Sequence, residues 1–150
     1  VIPGNGSGSG DNGSNNNGNN PDDNDDNNDD TPVSNNLKIT IGPVSFNATL
    51  ENNETAKAFK RLLPMTVDMS ELHGNEKYYY LSNGLPTASS NPGTIRTGDL
   101  MLYGSTCVVL FYETFSTSYT YTRLGRITNP SGLASALGSG GVNVTFEITD

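Results

Sequence analysis

Residues 37–50 read LKITIGPVSFNATL, and apolar and polar side chains alternate through both halves of this segment. Alternation with a period of two places successive side chains on opposite faces of an extended strand. The dipeptide Gly42-Pro43 between the halves is typical of a turn. The segment therefore predicts a β-hairpin with one apolar face turned toward a core.

The strand pattern continues toward the C-terminus. Six further segments alternate or form short apolar runs, at residues 65–69, 78–81, 100–103, 107–112, 119–127 and 142–148. About eight strands at this spacing favour a mainly β fold, an antiparallel eight-stranded β-barrel whose interior the side chains just fill. A β-sandwich is the alternative.

Two short helices are predicted between the strands. Residues 54–63 follow Asn53, a favourable N-cap residue, and stop at Pro64. The second helix begins at Asn129-Pro130 and ends at Gly138. The apolar faces would consist of Ala56, Phe59 and Leu63 in the first helix, and of Leu133, Ala134 and Leu137 in the second.

Residues 1–36 differ in composition from the rest of the chain. Between residues 4 and 36, the only apolar side chain is Val33. A segment that buries so little apolar surface cannot offset the entropy of ordering its backbone. We therefore predict a disordered Asn/Gly/Asp-rich linker over residues 1–36 and one folded domain over residues 37–150. Within the linker, DDNDDNNDD at residues 22–30 is interpreted as a solvated spacer, with a calcium site as the alternative.

The charge is divided between the two parts. Seven of the 16 acidic residues precede residue 37, whereas all eight Lys and Arg residues follow it. The domain is therefore almost neutral, and the linker carries most of the net charge of −8. An acidic linker repels a phosphate backbone, so we expect no nucleic-acid partner, although the linker charge says little about what the domain itself binds.

The location of the protein is predicted from its termini and apolar runs. The longest apolar run, residues 107–111, is far shorter than the roughly 20 residues that span a bilayer. Because the chain starts at Val1 rather than Met, we expect a processed or truncated form, with any signal segment upstream. We predict an extracytoplasmic, surface-tethered lipoprotein that meets the membrane only through an N-terminal lipid anchor. A cytoplasmic location is the alternative.

Residues for hydrolytic or metal chemistry are sparse. A zinc site needs three or four His, Cys or carboxylate ligands, and a Ser/His/Asp triad needs a His beside a presented Ser. The chain offers one His and one Cys for these sites. Cys107 lies in an apolar run that predicts a buried side chain, and His73 lies in a predicted turn. Glu71 and Glu76 give weak support to glycoside hydrolysis. We expect no metal and no cofactor.

Seven segments, taken in chain order, resemble a bacterial family of cyclophilin-like domains. They are LKITI (37–41), TAKAF (55–59), LP (63–64), EKYYYL (76–81), GDLMLYG (98–104), VLFY (109–112) and FSTSYTYTRLGRI (115–127). The resemblance covers nearly all of residues 37–148. It implies the cyclophilin-type fold, an eight-stranded antiparallel β-barrel with two helices.

The resemblance does not imply peptidyl-prolyl isomerase activity. Cyclophilins with that activity have an Arg, a Phe and a Gln close together ahead of a Gly-Gly-Asp-Phe stretch, with Phe, Trp and His residues around a proline pocket. This chain has no Trp, and only Gly98-Asp99 matches the later stretch. Arg96 is too close to Asp99 to take the role of the family's catalytic Arg, and His73 is not taken as the pocket histidine.

Residues 115–123, FSTSYTYTR, combine hydroxyl groups, aromatic rings and a cation. Along a strand, Tyr119, Tyr121 and Arg123 would share one face, which suits a peptide or a small amphiphilic ligand. Exposed cross-strand tyrosine pairs without a ligand are the alternative. In the Tyr78–Tyr80 run, alternation turns Tyr79 toward the core. The predicted ligand-binding residues are Tyr80, Phe115, Tyr119, Tyr121 and Arg123.

The leading functional hypothesis is a non-enzymatic domain that binds a small molecule or a peptide. The alternative is a divergent peptidyl-prolyl isomerase, in which Arg123 or Arg96 would donate a hydrogen bond to the proline amide nitrogen in the twisted transition state. A third hypothesis is a scaffold that binds another protein through an exposed apolar patch. If Arg96 and Asp99 do not line a ligand pocket, their side chains are predicted to pair and fix the turn at Gly98. Arg126 is predicted to be a surface charge.

Overall fold

The computed structural model of the chain describes residues 33–150. The Asp/Asn segment at residues 22–30, with both its spacer and its calcium interpretation, lies outside these residues. In chain order, the elements are β1 (Asn36–Ile41), β2 (Val44–Leu50), α1 (Glu54–Lys60), β3 (Met65–Leu72), β4 (Glu76–Tyr80), β5 (Thr94–Ile95), β6 (Asp99–Tyr103), β7 (Cys107–Phe111), β8 (Phe115–Ser116), β9 (Thr122–Ile127), α2 (Leu133–Leu137) and β10 (Val142–Thr149).

Eight of the strands form a closed barrel in the order β1-β10-β3-β4-β7-β6-β9-β2, with β2 pairing back to β1. Every pairing is antiparallel. The prediction of an antiparallel eight-stranded barrel with two short helices is confirmed, and the sandwich alternative is wrong. The short strands β5 and β8, which the sequence pattern does not reveal, pair with each other in a separate two-stranded sheet.

The barrel interior is an apolar core to which alternate residues of the strands contribute. In the β6–β7 pair, Leu100, Leu102, Val108 and Leu110 belong to this core, so the residues between them face outward. Helix α1 adds Phe59, whose ring packs edge-on against Phe146 of β10 at 5.7 Å. Most of the core therefore comes from the barrel strands and the two helices, and Leu81 and Leu85 of the segment after β4 add to it.

Helix α1 begins where the sequence predicts and ends earlier. Asn53 is the N-cap, accepting a hydrogen bond from the Ala56 amide, and its own amide group donates to the Arg123 carbonyl. The helix ends at Lys60 rather than Leu63. The reason is that the amides of the next three residues bond to carbonyls three positions back, which tightens the chain into turns.

Helix α2 is shorter than predicted. Its N-cap is Gly132, whose φ of 84° suits glycine. Asn129 does not cap the helix, because its side chain accepts a hydrogen bond from the Ser131 amide and forms a local turn instead. Leu133 and Leu137 are buried as predicted, whereas Ala134 is exposed. Gly138 ends the helix as predicted.

A buried lysine on β4 is the centre of a hydrogen-bond network that includes β3, the segment after α2 and the residue after β7. Lys77 of β4 is fully buried, and its Nζ donates to Glu71 Oε1 at 2.9 Å and to the carbonyls of Gly138 and Gly140 at 2.8 and 2.6 Å. The Tyr112 hydroxyl donates to the same Glu71 oxygen at 2.7 Å. Partial burial acts to raise the pKa of Glu71, but hydrogen bonds from Lys77, Tyr112 and the Gly74 amide outweigh it and lower that pKa.

The turn before β6 is fixed by Asp99, but not through the Arg96 side chain. Asp99 Oδ2 accepts a hydrogen bond from the Arg96 backbone amide at 2.9 Å, and Oδ1 pairs with Arg126 Nε at 3.4 Å. The ion pair predicted for Asp99 with the Arg96 side chain is therefore formed with Arg126 instead, and Arg96 contributes its backbone amide. Arg126 remains more than half exposed while it makes its ion pair.

Candidate functional site

A second apolar cluster lies on the outer face of the barrel wall. Because it contains the β6 and β7 residues that alternate with the interior ones, it lies on the opposite side of the sheet from the core. We call it the outer aromatic cluster. Its buried members are Ile95, Met101, Cys107, Val109, Phe111 and Tyr121, and its partly buried members are Leu72, Tyr78, Tyr103 and Phe115.

Aromatic rings connect most of this cluster. Tyr103 contacts the rings of Tyr119 and Tyr121, with centroids 6.2 and 5.6 Å away. Tyr121 contacts Phe111 at 5.6 Å, and Phe111 contacts Phe115 at 5.7 Å. The rings thus form a continuous chain from the surface at Tyr119 to the β5–β8 sheet, where Phe115 lies.

The strand β4 supplies a second aromatic edge. Tyr78 and Tyr80 face outward, and their rings meet edge-on at 5.7 Å, whereas Tyr79 packs against the interior core as predicted. In the sheet register, Tyr80 is opposite Cys107 and Cys107 is opposite Tyr103. The buried thiol therefore lies in a row between two outward tyrosines.

The structure brings the five predicted ligand-binding residues to this wall with different exposures. Tyr80 and Tyr119 are 48% and 49% exposed, and Phe115 and Arg123 are partly buried. Tyr121 is only 1% exposed, because it forms an isolated bridge with Ser90 ahead of β9 and its ring is enclosed by the cluster. Strand β9 starts at Thr122, so the single strand predicted over residues 119–127 is too long at its start.

Arg123 lies on the outward face of β9, as the pairing of β9 with β6 shows. It is opposite Met101, a buried member of the outer cluster, and its backbone carbonyl is held by Asn53 at the start of α1. The register therefore places Arg123 next to the outer aromatic cluster on strand β9.

The Tyr121 hydroxyl is a buried polar atom inside the cluster. It has no hydrogen-bond partner of acceptable geometry, although the Thr117 side chain lies near enough to act on its pKa. Burial raises the pKa of Tyr121, and the charge of Glu76 raises it further. A buried hydroxyl without a partner of good geometry lowers the stability of the folded state.

Glu76 is the polar residue at the inner end of the cluster. It is fully buried on β4, opposite Phe111 on one side and Leu72 on the other. Burial is the main cause and raises the pKa of Glu76, while the charge of His73 lowers this pKa and the charge of Glu71 raises it slightly. The sequence analysis considered Glu76 only with Glu71, yet Glu71 binds Lys77 on the interior side while Glu76 faces outward, so the sheet separates these carboxylates.

The raised pKa of Glu76 predicts a pH-dependent penalty to folding. Below the unfolded-state pKa the carboxyl is protonated in both states and costs nothing. Between the unfolded-state pKa and the folded-state pKa, the carboxyl ionises more readily in the unfolded chain, so the folded state loses stability as the pH rises. Above the folded-state pKa this loss has reached its full size. Glu76→Gln should therefore raise the free energy of unfolding more at pH 8 than at pH 4. The exposed Glu51→Gln, measured by urea denaturation at both values, should show no such difference.

Other candidate groups have structural roles. Cys107 is buried as predicted, and burial raises the pKa of its thiol to about 12, which keeps it protonated and poorly nucleophilic at neutral pH. His73 lies exposed in the turn between β3 and β4, with φ of 57°, as predicted. Among residues 33–150, no group of three or more His, Cys, Asp or Glu side chains is placed to hold a metal ion. No helix in the same range is long and apolar enough to cross a membrane.

The sequence analysis missed three central members of the site: Glu76, Tyr103 and Phe111. A signal for Glu76 exists, since it alternates with Tyr78 and Tyr80 on one strand face. Tyr103 and Phe111 lie at the ends of short apolar strands, and only the pairing of β6 with β7 and β9 shows which face they share.

A closed eight-stranded antiparallel barrel with two short helices and an aromatic cluster on its outer wall defines a barrel protein of the cyclophilin type. The family model described as "Cyclophilin-like family" matches residues 39–147. The chain therefore belongs to the cyclophilin-like family, as the resemblance implied.

Comparison with solved structures gives a similar fold. The solution structure of a hypothetical protein from Archaeoglobus fulgidus aligns with a TM-score of 0.53 and 20% sequence identity, covering 78% of this chain and 96% of that one. At this identity the likeness concerns the fold alone. A search of curated proteins found no match.

Proposed function

We propose that the protein is a ligand-binding domain, which takes a small amphiphilic molecule or a peptide on the outer aromatic cluster. The site would consist of the predicted residues Tyr80, Phe115, Tyr119, Tyr121 and Arg123, together with Tyr78 and Tyr103.

The observation that carries this proposal is the chain of aromatic rings on the outside of a barrel that has a separate apolar core in its interior. Rings such as those of Tyr80 and Tyr119, half exposed beside buried ones, offer a ligand flat apolar contact and hydroxyl groups. Tyrosine binds with little loss of conformational entropy, which is why it is common in binding surfaces.

The exposures assign different parts to the residues. Tyr80 and Tyr119 would form the rim, and Tyr121, which is enclosed, would form the floor. Arg123 would contact a carboxylate or a backbone carbonyl of the ligand, because a guanidinium group donates in a fixed fork. A peptide or an amphiphile with an apolar body satisfies all three contacts.

The rim residues provide the test. Tyr80→Ala and Tyr119→Ala should each weaken binding of any hit from an NMR screen of peptides and metabolites by about tenfold, on the order of 1.4 kcal/mol. Leu62→Ala is the matched control, since Leu62 is a similarly exposed apolar residue outside the cluster. Unchanged affinities in both tyrosine variants, or an equal loss in Leu62→Ala, would contradict the proposed site.

A divergent peptidyl-prolyl isomerase is the second candidate function, and the position of Arg123 beside the aromatic wall favours it. A guanidinium N–H there would donate to the amide nitrogen of a twisted X-Pro bond, with the proline ring on the rings of the cluster. A proline-peptide isomerisation assay decides the matter. Catalysis that Arg123→Ala abolishes at unchanged thermal stability would support this candidate.

A further inference from the structure

We propose that the accessible tyrosines of the outer aromatic wall, Tyr80, Tyr103 and Tyr119, bind an uncharged oligosaccharide. An oligosaccharide is an amphiphile of one particular kind, with C–H groups on the faces of its rings and hydroxyl groups at their edges. This inference rests on the proposed function and specifies the chemistry of its ligand. We call the three residues the tyrosine row.

The sheet register sets the spacing of the tyrosine row. Tyr80 of β4 and Tyr103 of β6 are both opposite Cys107 of β7, so they lie on either side of this residue on the outer face of the wall. Because adjacent strands are about 4.8 Å apart, the backbones of the two tyrosines are separated by about 10 Å. The Tyr119 ring adds to the row, since it meets the Tyr103 ring edge-on at 6.2 Å. Such a row is long enough to contact more than one sugar ring.

The tyrosine row is accessible as it stands. Tyr80 and Tyr119 are half exposed, and Tyr103 is partly buried. Cys107 is fully buried, so the rings rather than the thiol meet the solvent. Contact with these rings therefore requires no buried side chain to be uncovered.

The chain segments that carry the tyrosine row contain no charged residue. Residues 78–95, 100–112 and 114–122 have no Asp, Glu, Lys, Arg or His among them. Arg123 follows the third segment directly, and a guanidinium group donates to hydroxyl oxygens as well as to carboxylates. The composition around the row therefore favours a ligand without charge.

The surroundings of Tyr80 agree with this composition. Burial is the main cause that raises the pKa of Tyr80, and the other groups that act on it are Cys107, Tyr78 and Tyr103. These groups are a thiol and two phenols rather than carboxylates or cations. They offer an ionic head group no opposite charge, so such a group would lose its hydration without compensation.

Neutral hydrogen-bonding side chains flank the two half-exposed tyrosines. The exposed ones nearest in sequence are Ser82, Asn83, Ser118 and Thr120. Hydroxyl and amide groups both donate and accept hydrogen bonds, as the hydroxyl groups of a sugar do. The segment after β4 is also held in place, because the Leu81 amide donates to the Thr106 carbonyl at 2.8 Å. Binding there costs less ordering of the chain.

The closed barrel favours a sugar over an extended peptide on this wall. Each of the strands β4, β7, β6 and β9 is paired on both sides, so a peptide could not add to the wall as a further strand. A ligand must instead bind through the outward side chains. Flat rings surrounded by neutral hydroxyl and amide groups match the C–H faces and hydroxyl edges of an oligosaccharide.

Binding of pentasaccharides to the full chain, followed by NMR of the tyrosine rings, tests the proposal. Cellopentaose, xylopentaose and maltopentaose are uncharged, whereas pentagalacturonic acid carries a carboxylate on every sugar. We expect at least one uncharged probe to shift Tyr80 and Tyr119 and to bind at least about tenfold more tightly than the acid. Raising NaCl from about 0.05 M to about 0.5 M should change this affinity by less than about twofold, since no ion pair is involved.

Paired substitutions separate ring stacking from general apolar contact. Tyr80→Phe and Tyr119→Phe keep a flat ring, so each should weaken the uncharged probe by no more than about threefold. Tyr80→Leu and Tyr119→Leu keep apolar volume without a ring, and each should weaken it by about tenfold. Leu62→Ala is the control, because Leu62 is exposed outside the cluster and should not affect binding. Thermal unfolding of each variant shows that it is folded.

The outcomes separate this inference from the proposed function. If other molecules of the wider screen bind at the tyrosine row while no uncharged pentasaccharide does, the oligosaccharide site is wrong and the proposed function stands. Equal affinity for the acid and the uncharged probes, or equal losses in the Leu and Phe variants, would overturn the inference in the same way. If neither these probes nor any member of the wider screen shifts the cluster, both the inference and the proposed function are wrong.

Discussion

Lys77→Met should lower the free energy of unfolding by about 3–5 kcal/mol, the range for removing one partner of a buried ion pair. Methionine keeps most of the apolar volume of the lysine side chain but has no donor. The Gly138 and Gly140 carbonyls would lose the ammonium group that they now share, and each unsatisfied buried acceptor costs about 1–3 kcal/mol. Glu71 is partly exposed, so water would compensate its loss in part.

The exposed Lys38 provides a matched control, because its substitution removes the same charge without removing a buried one. Lys38 pairs with Glu147 at 3.8 Å across β1 and β10, and both side chains are about 40% exposed. Because exposed pairs contribute little, Lys38→Met should change the free energy of unfolding by less than about 1 kcal/mol. Urea denaturation of the two variants makes the comparison. Similar losses in both would show that the contacts of Lys77 do not stabilise the barrel.

Tyr121→Ala should cost about 3–5 kcal/mol, because a fully enclosed aromatic ring leaves a cavity when it is truncated. Its neighbours Tyr103 and Phe111 would lose ring contacts at 5.6 Å. The same substitution would also impair ligand binding through unfolding, so it cannot test the site by itself. The rim residues Tyr80 and Tyr119 are better probes of binding.

Tyr121→Phe should have a very different effect on stability. It keeps the ring and removes a buried hydroxyl that has no partner of acceptable geometry, so the free energy of unfolding should stay the same or rise by up to about 1 kcal/mol. Chemical denaturation measures both variants under the same conditions. A loss above about 1 kcal/mol in Tyr121→Phe would show that the hydroxyl is satisfied in the folded protein.

Much of the barrel was predictable because its signals are local. The alternation in residues 37–50 predicts β1 and β2, and the Tyr78–Tyr80 run correctly turns its middle ring inward. The ends of elements were harder to predict. Helix α1 stops at Lys60 because of hydrogen bonds that form in the folded chain, and β9 starts late because Tyr121 pairs with Ser90.

The candidate site was predictable only in part. The composition of the segment from Phe115 to Arg123 indicated a binding surface, and the five predicted residues lie in or next to the outer aromatic cluster. Their exposures did not follow from alternation, because the loops and the small β5–β8 sheet decide which rings are covered. Glu76 and Phe111 are 35 residues apart in the sequence, and their pairing depends on the register of β4 against β7.

By itself, the sequence determined the class of fold, the number of barrel strands and the inward or outward direction of most side chains, since period-two alternation is a property of each strand alone. The tertiary structure decided which outward residues meet. It set Glu76 opposite Phe111 and placed Lys77 against two glycine carbonyls more than 60 residues away. Such contacts depend on strand order and register, which arise only when the barrel closes and all strands pair at once.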